Sequence, residues 1–406
     1  MNHISRTEGA ACGLDDMAPA LSFHDRCLRQ RIPVGGSFDL THRCNLRCRH
    51  CYLGDQIAIR RHRGEELTTG EILDILDQAA AAGTLFLTLT GGDPMIRPDF
   101  PEIYRHAVRK GMLVTVFANG TLVNETIIDL FRDLPPRQVE VSVYGATAAT
   151  YEKITQVPGS FGRFIAGLDL LRGGGVRFRL KSVLMTLNRH ELAGMEAMAE
   201  HYGVKFHYDT AIFPCMPYAD NEGGSNLSSG RKWRQGPESL RDPLTFRIPA
   251  AEIAALDVAT AERRRHWLGV YQHEKGKKLA NRLYSCGAGI ASFHIDPYGF
   301  LQPCVMTWSL RHDLRQGSFL QGWNGIIASL HRREAGDGYH CNRCAGRPVC
   351  LGCPSLFLLE TGSERIVSEY ICETAKARLD KIKQMERQAI AWPGQPGPEI
   401  VAPAND

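Results

Sequence analysis

The 406-residue sequence carries no dominant charge of either sign, no long apolar run and no secretion signal. Lys plus Arg number 48 against 44 acids, a net charge of +4, and no basic block is interleaved with aromatics. That balance argues against nucleic acid as the main partner. No stretch is apolar enough to span a bilayer, so no membrane partner is expected. Cysteine, by contrast, is plentiful, with thirteen residues. With no signal peptide, these fit metal-bound thiolates in a reducing, oxygen-poor cytoplasm better than disulfides.

Three of them, Cys44, Cys48 and Cys51, lie in the run Thr41-His42-Arg43-Cys44-Asn45-Leu46-Arg47-Cys48-Arg49-His50-Cys51-Tyr52. The spacing offers three thiolates to one iron–sulfur cluster and leaves a fourth position open, whereas clusters that only carry electrons normally take four cysteines. Structural zinc is the alternative, because His42 or His50 could complete a four-ligand set. Spacing alone leaves the two about even. The flanking residues favour the cluster. Ser37-Phe38-Asp39-Leu40 reads as a short buried strand leading into the loop, and the aromatic Tyr52 follows the last cysteine. Here the chain resembles the radical S-adenosylmethionine (radical SAM) superfamily, whose signature is Cys-x3-Cys-x2-Cys with an adjoining aromatic. The resemblance implies a [4Fe-4S] cluster whose open iron chelates S-adenosylmethionine.

Strand and helix signals then alternate for about 150 residues, a length that suits one α/β domain. Thr68-x-x-Glu71 is a capping box opening a helix with an apolar stripe at Ile72, Leu73, Ile75, Leu76, Ala79 and Ala80, closed by Gly83. The runs 85–90, 112–117, 139–144, 176–184 and 204–208 read as further strands. Such alternation implies parallel pairing with right-handed crossovers. With the strand at Ser37 there are six βα units, which predicts a partial (β/α)6 TIM-type barrel with its site at the carboxyl ends of the strands.

Those ends carry Gly91-Gly92-Asp93-Pro94, Asn119-Gly120, Ser142, and Lys181-Ser182. By resemblance, Gly91, Gly92, Asp93 and Pro94 correspond to the family's Gly-Gly-Glu-Pro segment, which binds the methionine amino group, with Asp in place of Glu. Asn119, Ser142, Arg163 and Lys181 are implied contacts to the ribose and carboxylate of the cosubstrate. Each alone is also readable as ordinary structure: Asn-Gly is a common turn dipeptide, and most arginines like Arg163 are solvated.

A second group comprises Cys286, Cys304, Cys341-x2-Cys344-x5-Cys350-x2-Cys353 and Cys372. Taken alone, paired Cys-x2-Cys units favour zinc. Behind a radical SAM barrel they resemble the SPASM domain, which binds auxiliary iron–sulfur clusters, although the last grouped spacing is one residue short of the usual pattern. The resemblance implies one or two auxiliary clusters, two being favoured. Cys341, Cys344, Cys350 and Cys372 would hold the outer one; Cys286, Cys304 and Cys353 would hold an inner one with an open position. Phe293 to Gly299 reads as a strand entering the β-hairpin of that domain, with His294 and Asp296 as packing and turn residues. Cys215, after the sixth strand, is a weak catalytic candidate, and a small buried hydrophobe is its commoner role.

The expected organisation is an N-terminal extension over 1–35, the barrel over 36–212, and a linker with a helical bridge over 213–280. The SPASM region follows over 281–378, then a helix end and tail over 379–406. The extension is too short for most independent domains, so leader recognition, if any, would need a separate protein or another surface. The Gly-, Ser- and Asn-rich stretch 213–243 suggests a long loop; the proline-rich end, 392–406, reads as disordered. The resulting expectation is a radical SAM maturase of a peptide, served by an electron donor such as flavodoxin or ferredoxin. A radical enzyme acting on a small molecule or protein side chain is the second reading, and a non-catalytic zinc protein the third.

Overall fold

The computed structural model describes residues 23–216, 243–277 and 281–390. Most of the Gly-rich stretch 213–243 and the whole of 392–406 lie outside them. Six parallel strands follow one another: β1 (Gly35–Thr41), β2 (Phe86–Gly91), β3 (Leu113–Ala118), β4 (Gln138–Ser142), β5 (Phe178–Val183) and β6 (Phe206–Asp209). Three more, β7 (Ser292–Ile295), β8 (Phe300–Gln302) and β9 (His312–Asp313), extend the same sheet. The order is β6-β5-β4-β3-β2-β1-β7-β8-β9, a partial α/β barrel continued by an antiparallel hairpin.

The helices cover one face. Helix Thr69–Ala81 starts at Thr68, whose side chain accepts from the Glu71 N–H while Glu71 returns the bond to the Thr68 backbone. Its Ile72, Ile75, Leu76 and Ala79 pack into the main core with Phe38, Leu40, Leu87, Leu89, Val114, Val116, Val139 and Val141. Successive strand residues point to opposite faces, so the alternate positions turn inward. They include Ser37, Asp39, Thr88, Thr115, Phe117, Glu140, Arg179 and Lys181, which give the barrel a largely polar lumen.

The cysteine-rich region is joined to the barrel by backbone pairing. β7 pairs parallel with β1, Ser37 facing His294, and Ser37 Oγ lies 2.9 Å from His294 Nδ1. His294 and Asp296 are both buried, and Asp296 accepts from the backbone N–H groups of Tyr298 and Phe300, fixing the hairpin turn. The bridge consists of helices Ala250–Leu256 and Ala261–Glu274. Arg378, on the last helix (Glu369–Ile390), donates to Asp257 (2.7 Å) and to the Val349 carbonyl (2.6 Å) beneath the Trp267 ring. A buried arginine is tolerated when its charge and donors are all engaged.

Candidate functional site

The loop carrying Cys44, Cys48 and Cys51 leaves the end of β1 and is held by both side-chain and backbone contacts. Buried Gln56 accepts from the Cys44 N–H (2.7 Å) and donates to the His42 carbonyl (3.1 Å). Arg43 is paired with Glu66. Two backbone bonds tie the loop to the end of β2, from Gly92 N–H to the Thr41 carbonyl (2.8 Å) and from Asp93 N–H to the Arg43 carbonyl (3.1 Å). That approach requires glycine. A Cβ at Gly91, which sits at φ +127°, would lie 2.1 Å from the Thr41 oxygen, and one at Gly92 would lie 2.3 Å from the Arg43 oxygen. The Gly-Gly-Asp backbone is thus engaged in fastening the cysteine loop.

Asp93 is buried and organises the ends of β2 and β3. Its carboxylate accepts from Met95 N–H (3.0 Å) and Asn119 N–H (2.9 Å), and burial pushes its pKa up to about 6. Pro94 begins the short turn that follows. The Asn119 side-chain amide donates to Asn45 Oδ1 (2.8 Å) and lies 3.6 Å from Cys44 Sγ, while its oxygen accepts from Thr121 N–H (2.9 Å) and from the Thr121 hydroxyl (2.6 Å). Ser142, at the end of β4, lies beside Tyr144, and Tyr144 lies beside Cys48. Gly91, Gly92, Asp93, Pro94, Asn119 and Ser142 therefore gather around the cysteine loop.

The remaining sequence-derived residues are less close. Lys181 lies in the lumen, paired with Glu140 (3.5 Å) over the Phe117 ring, and burial pulls its ammonium down to about 7. Ser182 turns the other way, against Met195 on the helix side. Arg163 is exposed on the first turn of helix Ser160–Gly173. Cys215 is exposed, with its sulfur 3.8 Å from the Cys51 carbonyl; it therefore lies over the loop and does not play the part of a buried hydrophobe. Gln56, Asn45 and Tyr144 were not singled out from sequence. A polar residue at a helix start or strand end is too common there to signal a role.

Burial raises the thiol pKa of Cys44 to about 12 and those of Cys48 and Cys51 above the ordinary range, with neighbouring thiols adding to the effect at Cys44 and Cys48. Three such crowded thiols become thiolates only when a cation compensates them. Among the described residues, no group of three or more His, Cys, Asp or Glu converges tightly enough for one ion. A four-iron cluster binds each cysteine at a different corner, so it accommodates more widely spread thiols than a tetrahedral zinc does. The donor set fits the cluster.

The C-terminal thiols fall into two sets by mutual electrostatic influence. Cys350 feels Cys341, Cys372 and Cys344; Cys304 feels Cys353 and Cys286. Six of the seven line one cavity of about 670 Å³. The seventh, Cys304, packs against the same small apolar cluster as Cys51, built on Leu53, Ile59, Met216, Met306, Trp308 and Leu359. No helix among the described residues is long and apolar enough to cross a membrane.

Residues 38–201 match the radical SAM superfamily. A PqqA peptide cyclase of Xanthomonas campestris pv. campestris is 30% identical over 379 residues, covering 91% of this chain and 93% of its own. An AdoMet-dependent heme synthase of Methanosarcina barkeri is 25% identical over 332 residues, 80% of this chain and 92% of its own. Among solved structures, Streptococcus suis SuiB bound to its precursor peptide SuiA shares the fold, with TM-score 0.61 over 86% of this chain and 79% of that one at 14% identity. A [4Fe-4S] cluster and S-adenosylmethionine are the cofactors of the superfamily matched. With its cysteine loop fastened at the end of β1 and a full-length relative at this identity, the chain belongs to the radical SAM superfamily of enzymes.

Proposed function

We propose that the chain is a peptide maturase, acting on a peptide substrate to give an oxidised or crosslinked product. The observation that carries this reading is the near full-length similarity to a peptide cyclase. A bound cluster at Cys44, Cys48 and Cys51 would reduce S-adenosylmethionine to methionine and a 5′-deoxyadenosyl radical, which takes hydrogen from the substrate.

The chain's own residues supply placement. Gln56, Arg43 and the glycine pair hold the cysteine loop rigid against β2. Asn119 supplies a donor to the sulfur of Cys44, and Tyr144 lies beside that of Cys48. Hydrogen bonds of this kind tune cluster potentials. Asn119, Ser142 and the edge of β2 would border the cosubstrate. The lumen, walled by the polar faces of β1 to β5, would hold the substrate bond near the radical and away from water.

Two auxiliary clusters are part of the proposal, the outer on Cys341, Cys344, Cys350 and Cys372, the inner on Cys286, Cys304 and Cys353. The two electrostatic thiol sets support that division. The reading places the enzyme in the cytoplasm, with an electron donor and, where a leader must be gripped, a separate leader-binding protein. A second reading, action on a tetrapyrrole, is favoured by the heme synthase relatives. Anaerobic reconstitution with S-adenosylmethionine and a reductant separates the cases. Formation of 5′-deoxyadenosine that accelerates with a short peptide encoded beside this gene supports the first. Acceleration by a porphyrin and not by the peptide would establish the second in its place.

A further inference from the structure

The rim of the auxiliary thiol cavity has a charge asymmetry that the chain as a whole does not. Its lining includes Lys275, Lys277, Arg282, Arg343, Arg347 and Lys383, with Glu274 as the only acid among the described residues. Glu274 is taken up by Lys277 (2.7 Å), and Lys275 reaches Glu386 at 3.4 Å with half of its side chain still exposed. Arg282, Arg343 and Lys383 are exposed and make no ion pair among the described residues. A near-neutral protein that gathers uncompensated cations around one opening presents a steering field there.

An exposed apolar side chain lies next to the opening along the chain. Leu351 is 59% exposed and lies between Cys350 and Cys353, one from each thiol set. Exposed apolar side chains beside charged ones are usual at docking surfaces. The surface also leads inward. The cavity reaches Cys286 and Cys353, whose set includes Cys304, and Cys304 shares an apolar cluster with Cys51 of the radical SAM loop.

We propose that this basic rim is the docking surface for an acidic one-electron carrier protein. This rests on the iron–sulfur reading given above and locates its redox partner. In the exchange the reduced carrier loses one electron and the iron–sulfur site gains it; no bond forms or breaks. An acidic leader peptide is the competing occupant, but it would have no need of thiols beneath its landing site.

The test uses the reconstituted full chain, a reduced acidic flavodoxin, and the variants Lys275→Glu and Lys383→Glu, which touch neither thiol set. Each charge reversal is expected to weaken flavodoxin binding about tenfold, and added salt should weaken binding to the unmodified protein. Flavodoxin-driven 5′-deoxyadenosine formation should slow in parallel, while dithionite-driven formation stays unchanged. Unaltered flavodoxin binding and rates in both variants would overturn the proposal. So would peptide affinity falling in place of flavodoxin affinity. Loss of dithionite-driven product from the unmodified protein would instead indict the radical SAM site itself, which keeps the two failures apart. The salt series needs no substitution and stands if a variant does not fold.

Discussion

The side-chain amide of Asn119 lies 3.6 Å from the sulfur of Cys44, joining the end of β3 to the first cysteine of the loop. A donor aimed at a ligand sulfur stabilises the reduced, more negative state of a cluster. Replacing it with Leu should lower the reduction potential by about 20–60 mV, a hydrogen bond of roughly 0.5–1.5 kcal/mol expressed for one electron. Potentiometric titration followed by electron paramagnetic resonance reads the shift. An unchanged potential at full iron content would remove Asn119 from the sulfur's surroundings.

Gly91 tolerates no side chain, because its φ of +127° and the 2.1 Å approach to the Thr41 oxygen exclude even a methyl group. Gly91→Ala should destabilise the protein by about 3 kcal/mol or more and displace the cysteine loop. Iron retained after anaerobic desalting should drop together with the melting temperature. Retention of both at the parental level would show that the strand end yields more easily than its geometry implies.

Gln56 satisfies two buried backbone groups at once, the Cys44 N–H and the His42 carbonyl. Gln56→Leu keeps the volume and leaves both unpaired, at a cost of about 2–4 kcal/mol in chemical denaturation. Gln56→Glu, which retains the acceptor toward Cys44 N–H, should recover part of the loss. Equal damage by both would place the effect elsewhere.

Much of this architecture is legible in the sequence, for a local reason. Each parallel strand is a short apolar or alternating run with a helix after it, and Thr68 with Glu71 announces its helix unaided. The thiol spacings are local too. What the chain conceals is long-range pairing. Nothing around Ser292 says that β7 will add to β1, because edge pairing depends on a partner some 250 residues away. Gln56 and Tyr144 are hidden because their work is done by orientation, and Lys181, expected as a cosubstrate contact, is paired with Glu140.

Lys181 gives a pH signature. Burial lowers its pKa in the folded protein to about 7, against an ordinary value of 10.5. Between those values the unfolded chain binds the extra proton, so this contribution to stability is present above the upper value and lost as pH falls toward 7. Lys181→Met deletes the effect. Its melting temperature relative to the parent should be most favourable at neutral pH and decline toward pH 10. Parallel curves would mean that the ammonium is not desolvated.

Cys341 tests the outer thiol set. Cys341→Ala should spare uncoupled cleavage of S-adenosylmethionine while reducing modified peptide and total iron, measured by mass spectrometry and metal analysis. Undiminished iron with normal product would show that Cys341 ligates nothing.

Hydrogen bonding of β7 along β1 makes one rigid body of what the order of motifs along the chain suggests are two. A chain cut ahead of Ser292 would strip β1 of its neighbour and leave an open edge beside Phe38, a template for aggregation. The halves therefore cannot be exchanged among relatives as independent cassettes. Any traffic of electrons between them crosses a gap fixed at folding, with no docking event to regulate it.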